Sequence, residues 1–291
     1  MKLISSKKFL KHKLEGHVES PERIVKLLKK LEFEEAKDGE LHLSLAHTPE
    51  YIEKVKATVA MGGGFLDSGD TYVDKDTYDV ACHAVGAAVK AGEYALKGKE
   101  AFALVRPPGH HAHPSYTGGF CIFNNMAIAA AYIAGKGKRV LIFDFDMHRG
   151  DGTQACVGRI NDDVGKRLYY LSINQRAVFP GASLDEGQIK NLYVESGISE
   201  KDYIKLVKEE LGGLMKSFKP DIIALSAGFD SFANDTEKHS GTLGCGLLLT
   251  KKFIVELKKL IGKKSYFCVL EGGYDPESIK EGLMELMGER K

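Results

Sequence analysis

Short apolar runs alternate with longer amphipathic segments along this 291-residue chain. The apolar runs are rich in β-branched and aromatic residues, which predicts strands at 101–106, 139–145, 168–173, 221–227 and 265–271. Segments with helical spacing are found at 21–33, 79–98, 125–136, 199–218 and 249–263. Strands that alternate with helices indicate an α/β protein, in which a largely parallel sheet has helices on both faces.

The clearest helical pattern covers residues 199–218, where apolar side chains form one stripe and lysines and glutamates occupy the opposite side. Ser199 is the predicted N-cap, because its hydroxyl can accept a hydrogen bond from the first turn. No Pro/Ser-rich linker and no internal repeat divides the sequence. We therefore predict a single domain over residues 1–291.

Charge is nearly balanced at a net +1, which gives no electrostatic basis for direct nucleic-acid binding. The longest apolar stretches fall well short of the roughly 20 residues that span a bilayer, and the N-terminus lacks an apolar signal core. Five cysteines without CxxC spacing are typical of reduced, buried thiols. We expect a cytoplasmic protein with no membrane partner.

A cluster of ionisable residues, DFDMHRGDG, begins at Asp144, where the predicted strand 139–145 ends. If the chain stays extended there, Asp144, Asp146 and His148 project to the same side. Two carboxylates and an imidazole at a strand end are typical of metal ligation; the alternative is a solvated loop with coincidental alternation. Asp144 and Asp146 carry the same charge, so either they flank a second ion or one of them holds a histidine from elsewhere.

Asp230 follows another predicted strand, in LSAGFDSF, and its carboxylate offers a third ligand. An ordinary turn aspartate is the alternative interpretation. With Asp146 and His148 it forms a set of one nitrogen and two oxygen atoms, which suits Zn²⁺ or Fe²⁺ with water in the remaining position. The cysteine spacing excludes a thiolate-rich structural zinc site.

Tandem imidazoles, His110 and His111, occupy a Pro/Gly-framed turn after the first predicted strand. Tandem histidines are usually surface residues, but a rigid frame on both sides is typical of catalytic loops. Imidazoles transfer protons near neutral pH, and a carboxylate partner determines their tautomer. Asp144 and Asp151 are the available carboxylates, whereas His113 is expected to be an ordinary loop histidine.

Tyr274 follows two glycines at the end of the last predicted strand, in VLEGGYDPES. A buried tyrosine usually serves packing, with its hydroxyl satisfied by a neighbour. Beside a metal ion, the hydroxyl can instead donate a hydrogen bond to a carbonyl oxygen that gains negative charge. The sequence is compatible with both roles.

Six motifs occur in order over Arg106–Asp275: RPPGHHA, GGFCIFNN, DFDMHRGDGTQ, FPG, SAGFD and EGGYD. HVESPER, AHTPEYI and SGDTY extend the pattern toward the N-terminus, so that nearly the whole chain is covered. On these motifs the chain resembles the metal-dependent histone deacetylase-like amidohydrolases of the arginase/deacetylase fold. RPPGHHA together with FNN is similar to the class II branch.

The resemblance implies a role for each candidate residue. The implied metal ligands are Asp146, His148 and Asp230. The implied catalytic residues are the histidine pair His110 and His111, oriented by Asp144 and Asp151 respectively, and Tyr274, which would polarise the amide carbonyl.

Four further residues resemble the substrate-binding positions of the family. Phe120 of GGFC and Phe179 of FPG are similar to the aromatic walls of an acyl-lysine tunnel, with Gly119 leaving room between them. Asp70 of GDTY is similar to a loop aspartate that holds the substrate backbone.

A monovalent-cation site is also implied, because Asp144 and Ser172 resemble part of the family's site for K⁺. Two positions depart from the family pattern. Arg149 stands where a second histidine is usual, and strand alternation predicts that it points away from the metal. Asn174 stands where many members have a histidine, and we assign it no function.

These observations predict a metal-dependent deacetylase that hydrolyses the amide of an N-acetylated amine by metal-activated water. The expected ions are Zn²⁺, with Fe²⁺ as the alternative, and a structural K⁺. The expected substrate is acetyl-lysine in a protein or peptide. The sequence leaves the acyl length, the native metal and the oligomeric state open.

Three other functions are considered. An acetylpolyamine or other small acetylated-amine amidohydrolase would use the same residues, but we find no loop insertion of the kind such enzymes generally have. A catalytically silent acyl-lysine-binding module is disfavoured by retention of Tyr274 and all three ligands. A binuclear ureohydrolase is disfavoured because Gly150 stands where it needs a carboxylate, and because AGFD offers one aspartate where it needs two.

Overall fold

The computed structural model describes residues 1–288. Within that range, the strands β1–β10 are Lys2–Ser5, Glu34–Glu35, Gly64–Phe65, Tyr72–Val73, Ala101–Ala103, Val140–Asp144, Leu168–Gln175, Ile189–Val194, Ile222–Ala227 and Ser265–Leu270. The helices α1–α9 of the same residues are Val25–Lys30, Pro49–Ala60, Thr77–Leu96, Asn125–Ala134, Asp151–Val164, Glu200–Ser217, Ala233–Leu243, Lys251–Ile261 and Pro276–Met287.

Eight of these strands form one sheet in the order β2-β1-β5-β10-β9-β6-β7-β8, and every neighbouring pair is parallel. β3 and β4 form a separate antiparallel pair. Parallel neighbours need a crossover connection, which the intervening helices supply. The predicted α/β class with a largely parallel sheet is therefore confirmed.

Both faces of the sheet are covered. Every residue of β6 and β9 is buried, although successive side chains point to opposite faces of the sheet. On the helical layers, α3 packs against α4 and several strands, while α8 packs against α6 and α9. None of the helices in residues 1–288 is long and apolar enough to cross a membrane.

All five predicted strands are present, with slightly different ends. The helix predicted at 199–218 is α6, and the Ser199 hydroxyl accepts a hydrogen bond from the backbone N–H of Asp202, as an N-cap does. The sequence analysis missed β1, which has only four residues, the two-residue strands β2, β3 and β4, and β8, an edge strand with several partly exposed positions. It also missed α2, α5, α7 and α9. Short or half-exposed elements lack the long apolar runs on which the prediction depended.

The fold brings the unusual motifs to one edge of the sheet. β5, β10, β9 and β6 lie side by side and parallel, so their carboxyl ends meet at that edge. The segments that follow these strands contain His110, Glu271, Asp230 and Asp146. In open parallel sheets, ligands bind outside the carboxyl ends of the strands. The candidate site lies there.

Candidate active site

Three side chains converge at this edge. Asp146, His148 and Asp230 each offer a ligand atom within 4.8 Å of the others, and all three residues are buried. Nδ1 of His148 lies 3.2 Å from Asp146 Oδ1 and 2.9 Å from Asp230 Oδ2. The tertiary structure thus brings Asp230 to two residues that precede it by more than 80 positions.

The chain does not continue as an extended strand through this motif, and that expectation was wrong. β6 ends at Asp144, and the backbone N–H of Asp146 then donates to Asp144 Oδ1 at 3.1 Å. In the same way, the N–H of His148 donates to Asp146 Oδ1 at 2.9 Å. Aspartate side chains compete with the sheet ladder for backbone donors in this manner. The ligands converge because of these turns and not because of strand alternation.

Backbone N–H groups orient the two carboxylates. Gly272 donates to Asp146 Oδ2 at 2.8 Å, and Met147 donates to Asp230 Oδ1 at 3.1 Å. A side chain at Gly272 has no room, because a Cβ there would lie 2.5 Å from an oxygen of each carboxylate. Such contacts hold the ligand oxygens in place around His148.

The charges of this cluster suit a divalent cation. Burial raises the pKa of Asp230 to about 6, and nearby Asp146 adds to the shift. Burial lowers the pKa of His148, but hydrogen bonds and charges of both aspartates outweigh it and raise that pKa to about 10. Two buried carboxylates thus favour a positive charge between them, which a divalent ion can supply while His148 coordinates as the neutral base. One nitrogen and two carboxylate oxygens form a donor set that fits Zn²⁺ or Fe²⁺.

His110 lies beside Asp144. Its Nδ1 is 3.2 Å from Asp144 Oδ2, which also accepts a hydrogen bond from the Tyr170 hydroxyl at 2.9 Å. Burial lowers the pKa of His110, but the charges of Asp146 and Asp144 outweigh it and hold the pKa well above its usual value. Asp144 therefore holds a histidine from another loop, which is one of the two alternatives that the sequence left open.

Asp151 lies between two imidazoles. Its Oδ1 is 2.7 Å from His111 Nδ1, and its Oδ2 is 3.0 Å from His113 Nε2. Burial and neighbouring His110 lower the pKa of His111 to about 4, although Asp151 opposes the shift. His111 is therefore neutral near pH 7, the state that a proton acceptor needs. His113, expected to be an ordinary loop histidine, is a second partner of the same carboxylate.

The loop that contains Tyr274 is held from two sides. The Tyr274 N–H donates to Asp235 Oδ1 at 2.7 Å, and the Arg23 guanidinium lies 5.0 Å from the centroid of the tyrosine ring. Nε of Arg23 also donates to the carbonyl of Gly273 at 2.6 Å. Burial raises the pKa of Tyr274 well above its usual value, so the hydroxyl keeps its proton. No sequence pattern indicated Asp235, which lies in a polar stretch of α7.

Aromatic rings and a glycine flank His111. The half-exposed Phe179 meets the His111 ring edge to face, with centroids 4.9 Å apart. Gly119, with a φ of +55°, lies between them, and a Cβ there would clash with His111 and lie 3.1 Å from Phe179. Phe120 packs against Tyr274 with ring centroids 5.8 Å apart. Phe179 and Gly119 thus form a wall beside His111, and Phe120 lies beside Tyr274.

A cavity of about 410 Å³ borders this wall; residues on its lining include His111, Gly119, Phe179, Asp151 and Asp70. Asp70 shares the rim with Asp67, and the Thr71 hydroxyl donates to Asp67 Oδ2 at 2.6 Å. Burial and the neighbouring Asp67 raise the pKa of Asp70 to about 6. The rim therefore presents two adjacent carboxyl groups.

Ser172 lies opposite Asp144 on the neighbouring strand, and both residues are buried. Asn174 donates from Nδ2 to Ser172 Oγ at 2.9 Å, a contact that the sequence did not indicate. The structure thus places the two residues of the expected monovalent-cation site on adjacent strands. Their role as cation ligands stays a prediction.

Glu271 is a buried carboxyl group that the sequence analysis did not assign. Its Oε2 accepts hydrogen bonds from the backbone N–H groups of Gly109 at 2.8 Å and His110 at 3.1 Å. Its Oε1 accepts a hydrogen bond from the Ser226 hydroxyl at 3.0 Å. Glu271 therefore supports the turn that contains both imidazoles. Its position directly after an apolar strand was a signal of the kind used for the aspartates.

Glu19 was also unassigned, although it belongs to the HVESPER motif. Its Oε1 lies 2.6 Å from Arg106 Nε and 2.9 Å from Arg23 Nη1, and all three side chains are fully buried. Burial raises the pKa of Glu19, but the two guanidinium groups outweigh it and lower that pKa to about 2. This buried cluster joins the N-terminal segment to the loops of His110 and Tyr274.

Comparison with known proteins shows the family of this chain. The family described as "Histone deacetylase domain" matches residues 8–289. A probable deacetylase of Methanothermobacter thermautotrophicus is 32% identical over 301 residues, which cover 96% of this chain and 87% of that protein. Among solved structures, the HD domain of HDA15 is similar to this chain, with a TM-score of 0.84 and 27% identity. The match covers 99% of this chain and 90% of the HDA15 chain. An acetylpolyamine aminohydrolase from Burkholderia pseudomallei is also similar, with a TM-score of 0.84 and 25% identity. That match covers 99% of this chain and 98% of the aminohydrolase chain.

Proposed function

Because this chain belongs to the histone deacetylase family and is therefore an amide hydrolase, we propose that it removes the acetyl group from acetyl-lysine in proteins or peptides. One observation supports the proposal most directly. The buried cluster of Asp146, His148 and Asp230 lies beside two imidazoles that each face a carboxylate. This arrangement combines a place for a Lewis acid with groups that transfer protons, and metal-assisted amide hydrolysis uses both.

Members of the family are generally metal-dependent, and the donor set fits a divalent ion. Asp146, His148 and Asp230 are the proposed ligands, with Zn²⁺ as the proposed ion and Fe²⁺ as the alternative. When bound there, the ion acts as a Lewis acid and lowers the pKa of water. Asp144 and Ser172 are proposed ligands of a structural K⁺.

The imidazoles and the tyrosine perform the proton transfers and stabilise charge. His111, whose Nδ1 faces Asp151, accepts the proton of the attacking water. A protonated imidazole of the His110 and His111 pair then donates a proton to the nitrogen of the leaving amine, which otherwise departs poorly. Tyr274 donates a hydrogen bond to the carbonyl oxygen as negative charge develops on it.

The acetylated side chain is proposed to approach through a passage lined by Phe179, Gly119 and Phe120. Aromatic rings pack well against the methylene stem of lysine. Asp70 is proposed to accept hydrogen bonds from the substrate backbone at the rim, where it is exposed. This placement leaves the amide bond at the inner end of the passage, next to the imidazoles.

Deacetylation of an acetylated polyamine or another small acetylated amine is the second candidate, and two observations favour it. One structural neighbour is an acetylpolyamine aminohydrolase that matches nearly the full length of both chains. The cavity rim also contains the two carboxyl groups of Asp67 and Asp70, which suit a distal ammonium group. Both candidates use the same catalytic residues, so only relative rates distinguish them.

The deciding experiment measures kcat/KM for an acetyl-lysine peptide and for acetylated polyamines, with the protein loaded with Zn²⁺ or Fe²⁺ in turn. A preference of about 100-fold, about 2.7 kcal/mol in transition-state binding, assigns the substrate class. Tyr274→Phe is the control, since it should retain metal and lose activity. If the wild-type protein binds metal but cleaves neither substrate under either metal loading, the result favours the catalytically silent acyl-lysine-binding module.

Domain organisation and location are also proposed. The family match over residues 8–289 supports a single catalytic domain over 1–291, of which 289–291 lie outside the described residues. All five cysteines are free and buried, which supports the proposed cytoplasmic location.

A further inference from the structure

Arg149, which departs from the family pattern next to His148, contacts a neighbouring loop. Its Nε donates to the carbonyl of Gly181 at 2.9 Å, and its Nη1 donates to Gln154 Oε1 at 2.8 Å. Arg149 is only 8% exposed. Its guanidinium thus lies in the protein interior and is directed at the segment that follows β7.

Folding stability alone does not account for this arginine. Its guanidinium forms no ion pair with a carboxylate within residues 1–288, and its partners there are neutral oxygens. Burying a charge without an opposite charge costs folding free energy, even when hydrogen bonds compensate part of that cost. The arrangement therefore points to a role in positioning the loop that it binds.

The loop comprises residues 176–188, joins β7 to β8 and is mostly exposed. Its far half is held at Ser183, whose N–H donates to the Tyr193 hydroxyl at 2.6 Å and whose hydroxyl accepts from Gln154 Nε2 at 3.0 Å. The near half contains Phe179. The near half packs against the core through Val178 and against His111 through Phe179, and it accepts the hydrogen bond from Arg149 at Gly181.

Phe179 needs such support because its own packing is weak. Half of its surface is exposed, its ring meets the edge of the His111 ring, and Gly118 and Gly119 lie close to it. A half-exposed ring on a mostly exposed loop gains little from burial. A bond from a guanidinium to the carbonyl two residues further on restricts where the ring can lie.

We propose that Arg149 is a positioning residue for substrate binding, which holds the 176–188 loop so that Phe179 stays against His111. The inference rests on the proposed function, since it assigns Phe179 to the wall of the substrate passage. Arg149 touches neither the substrate nor the reacting atoms. Its loss should therefore weaken substrate binding more than it slows the chemical step.

The kinetic test compares wild type, R149M, F179A and the double variant on an acetyl-lysine peptide. R149M is expected to raise KM about ten-fold while kcat changes less than about three-fold, because uniform binding is lost and transition-state contacts remain. The double variant should match F179A, since Arg149 acts through that ring. Additive effects, an unchanged KM, or a fall in kcat alone would overturn the proposal.

Two variants separate positioning from general damage. R159M removes another guanidinium that binds a backbone carbonyl, that of Ala46 at 3.0 Å, and it should leave both kinetic constants unchanged. R149K should recover part of the wild-type KM, because lysine can reach one partner but lacks the planar fork that binds two. R149K also serves if R149M does not fold. A KM for R149K equal to that of R149M would contradict the role assigned to the hydrogen bonds of Arg149.

A second readout does not depend on activity. Amide hydrogen exchange in R149M should accelerate in residues 176–188 and stay at the wild-type rate in β6 and β9. If wild type proves inactive on every acetylated amine, the proposed function fails, whereas the exchange experiment still decides whether Arg149 holds the loop. An unchanged rate of amide exchange in residues 176–188 would contradict the proposal, whatever the activity of the variant.

Discussion

Asp151 holds His111 through a 2.7 Å contact between Oδ1 and Nδ1, and it does so from the first turn of helix α5. The N-terminus of a helix stabilises a negative charge, so the carboxylate is suited to face an imidazole. Burial raises the pKa of Asp151, but hydrogen bonds from His111 and His113 outweigh it and hold the pKa well below its usual range. Asp151 thus offsets part of the cost of protonating His111, whose pKa burial and His110 lower.

Asp151→Asn should lower kcat about 100-fold with little change in KM, because the imidazolium formed during the reaction loses its counter-charge. The matched control is His113→Ala, which removes the other partner of the same carboxylate and leaves His111 in place. We expect that variant to keep kcat within about three-fold of wild type. Steady-state kinetics on an acetylated peptide measures both. A wild-type kcat in Asp151→Asn would contradict the role of His111.

Asp230→Asn should lower the metal content of the purified protein, because it converts a charged ligand into a neutral amide. The expected fall is from about one Zn²⁺ per chain to a small fraction of that after dialysis, measured by atomic emission. Asp235→Asn is the control, because Asp235 is also buried but binds the N–H of Tyr274. Equal metal content in both variants would show that Asp230 is not a ligand. Chelation of the wild type should abolish activity, and added Zn²⁺ should restore it.

Glu19 should make stability depend on pH in the acid range. Its pKa falls from 4.5 to about 2 on folding, so its contribution is present above pH 4.5 and is lost as pH falls toward 2. The shift corresponds to about 3 kcal/mol. Urea unfolding at several pH values should therefore show a stability difference between wild type and Glu19→Gln that shrinks as pH falls.

The control for that measurement is Glu22→Gln, three positions along the chain and exposed. Its difference from wild type should be small at every pH, as for most surface substitutions. A Glu19→Gln difference that is the same at pH 7 and pH 3 would mean that folding does not lower the pKa of Glu19. Because Glu19→Gln leaves two guanidinium groups buried, it should also destabilise the protein by about 3–5 kcal/mol near pH 7.

Gly119→Ala should reduce kcat/KM at least ten-fold, because the new Cβ would clash with the His111 ring in a backbone conformation with positive φ. Gly118→Ala is the matched control, since its Cβ would lie 3.6 Å from Phe179, an ordinary contact. We expect that control to stay within about three-fold of wild type on the same peptide. If the two variants behave alike, the close approach at Gly119 does not shape the site.

The chemical groups at the candidate site could be predicted because the sequence shows where they lie relative to the predicted strands. An apolar run identifies a buried strand, and an ionisable residue directly after it must face a ligand, water or a partner. This reasoning led to Asp146 and Asp230, which the structure places within one coordination shell. It did not depend on the exact backbone path, which is why the cluster formed although the expected extension past Asp144 was wrong.

The groups that hold the site could not be predicted in the same way. Asp235 lies in a polar stretch with no apolar run before it, and its contact with Tyr274 spans 39 residues. Glu19 meets Arg106 across 87 residues. Pairings over such separations depend on the packing of several elements at once, and no local sequence pattern predicts them.

The α/β class, the strand ends that carry ionisable residues and the identity of those residues were predictable from the sequence, because apolar periodicity and residue type are local properties. The folded structure alone showed that Asp151 serves His113 as well as His111 and that Arg149 binds the loop of Phe179. Those outcomes depend on distances between segments remote in the chain. Such distances are set when the helices and the sheet pack together.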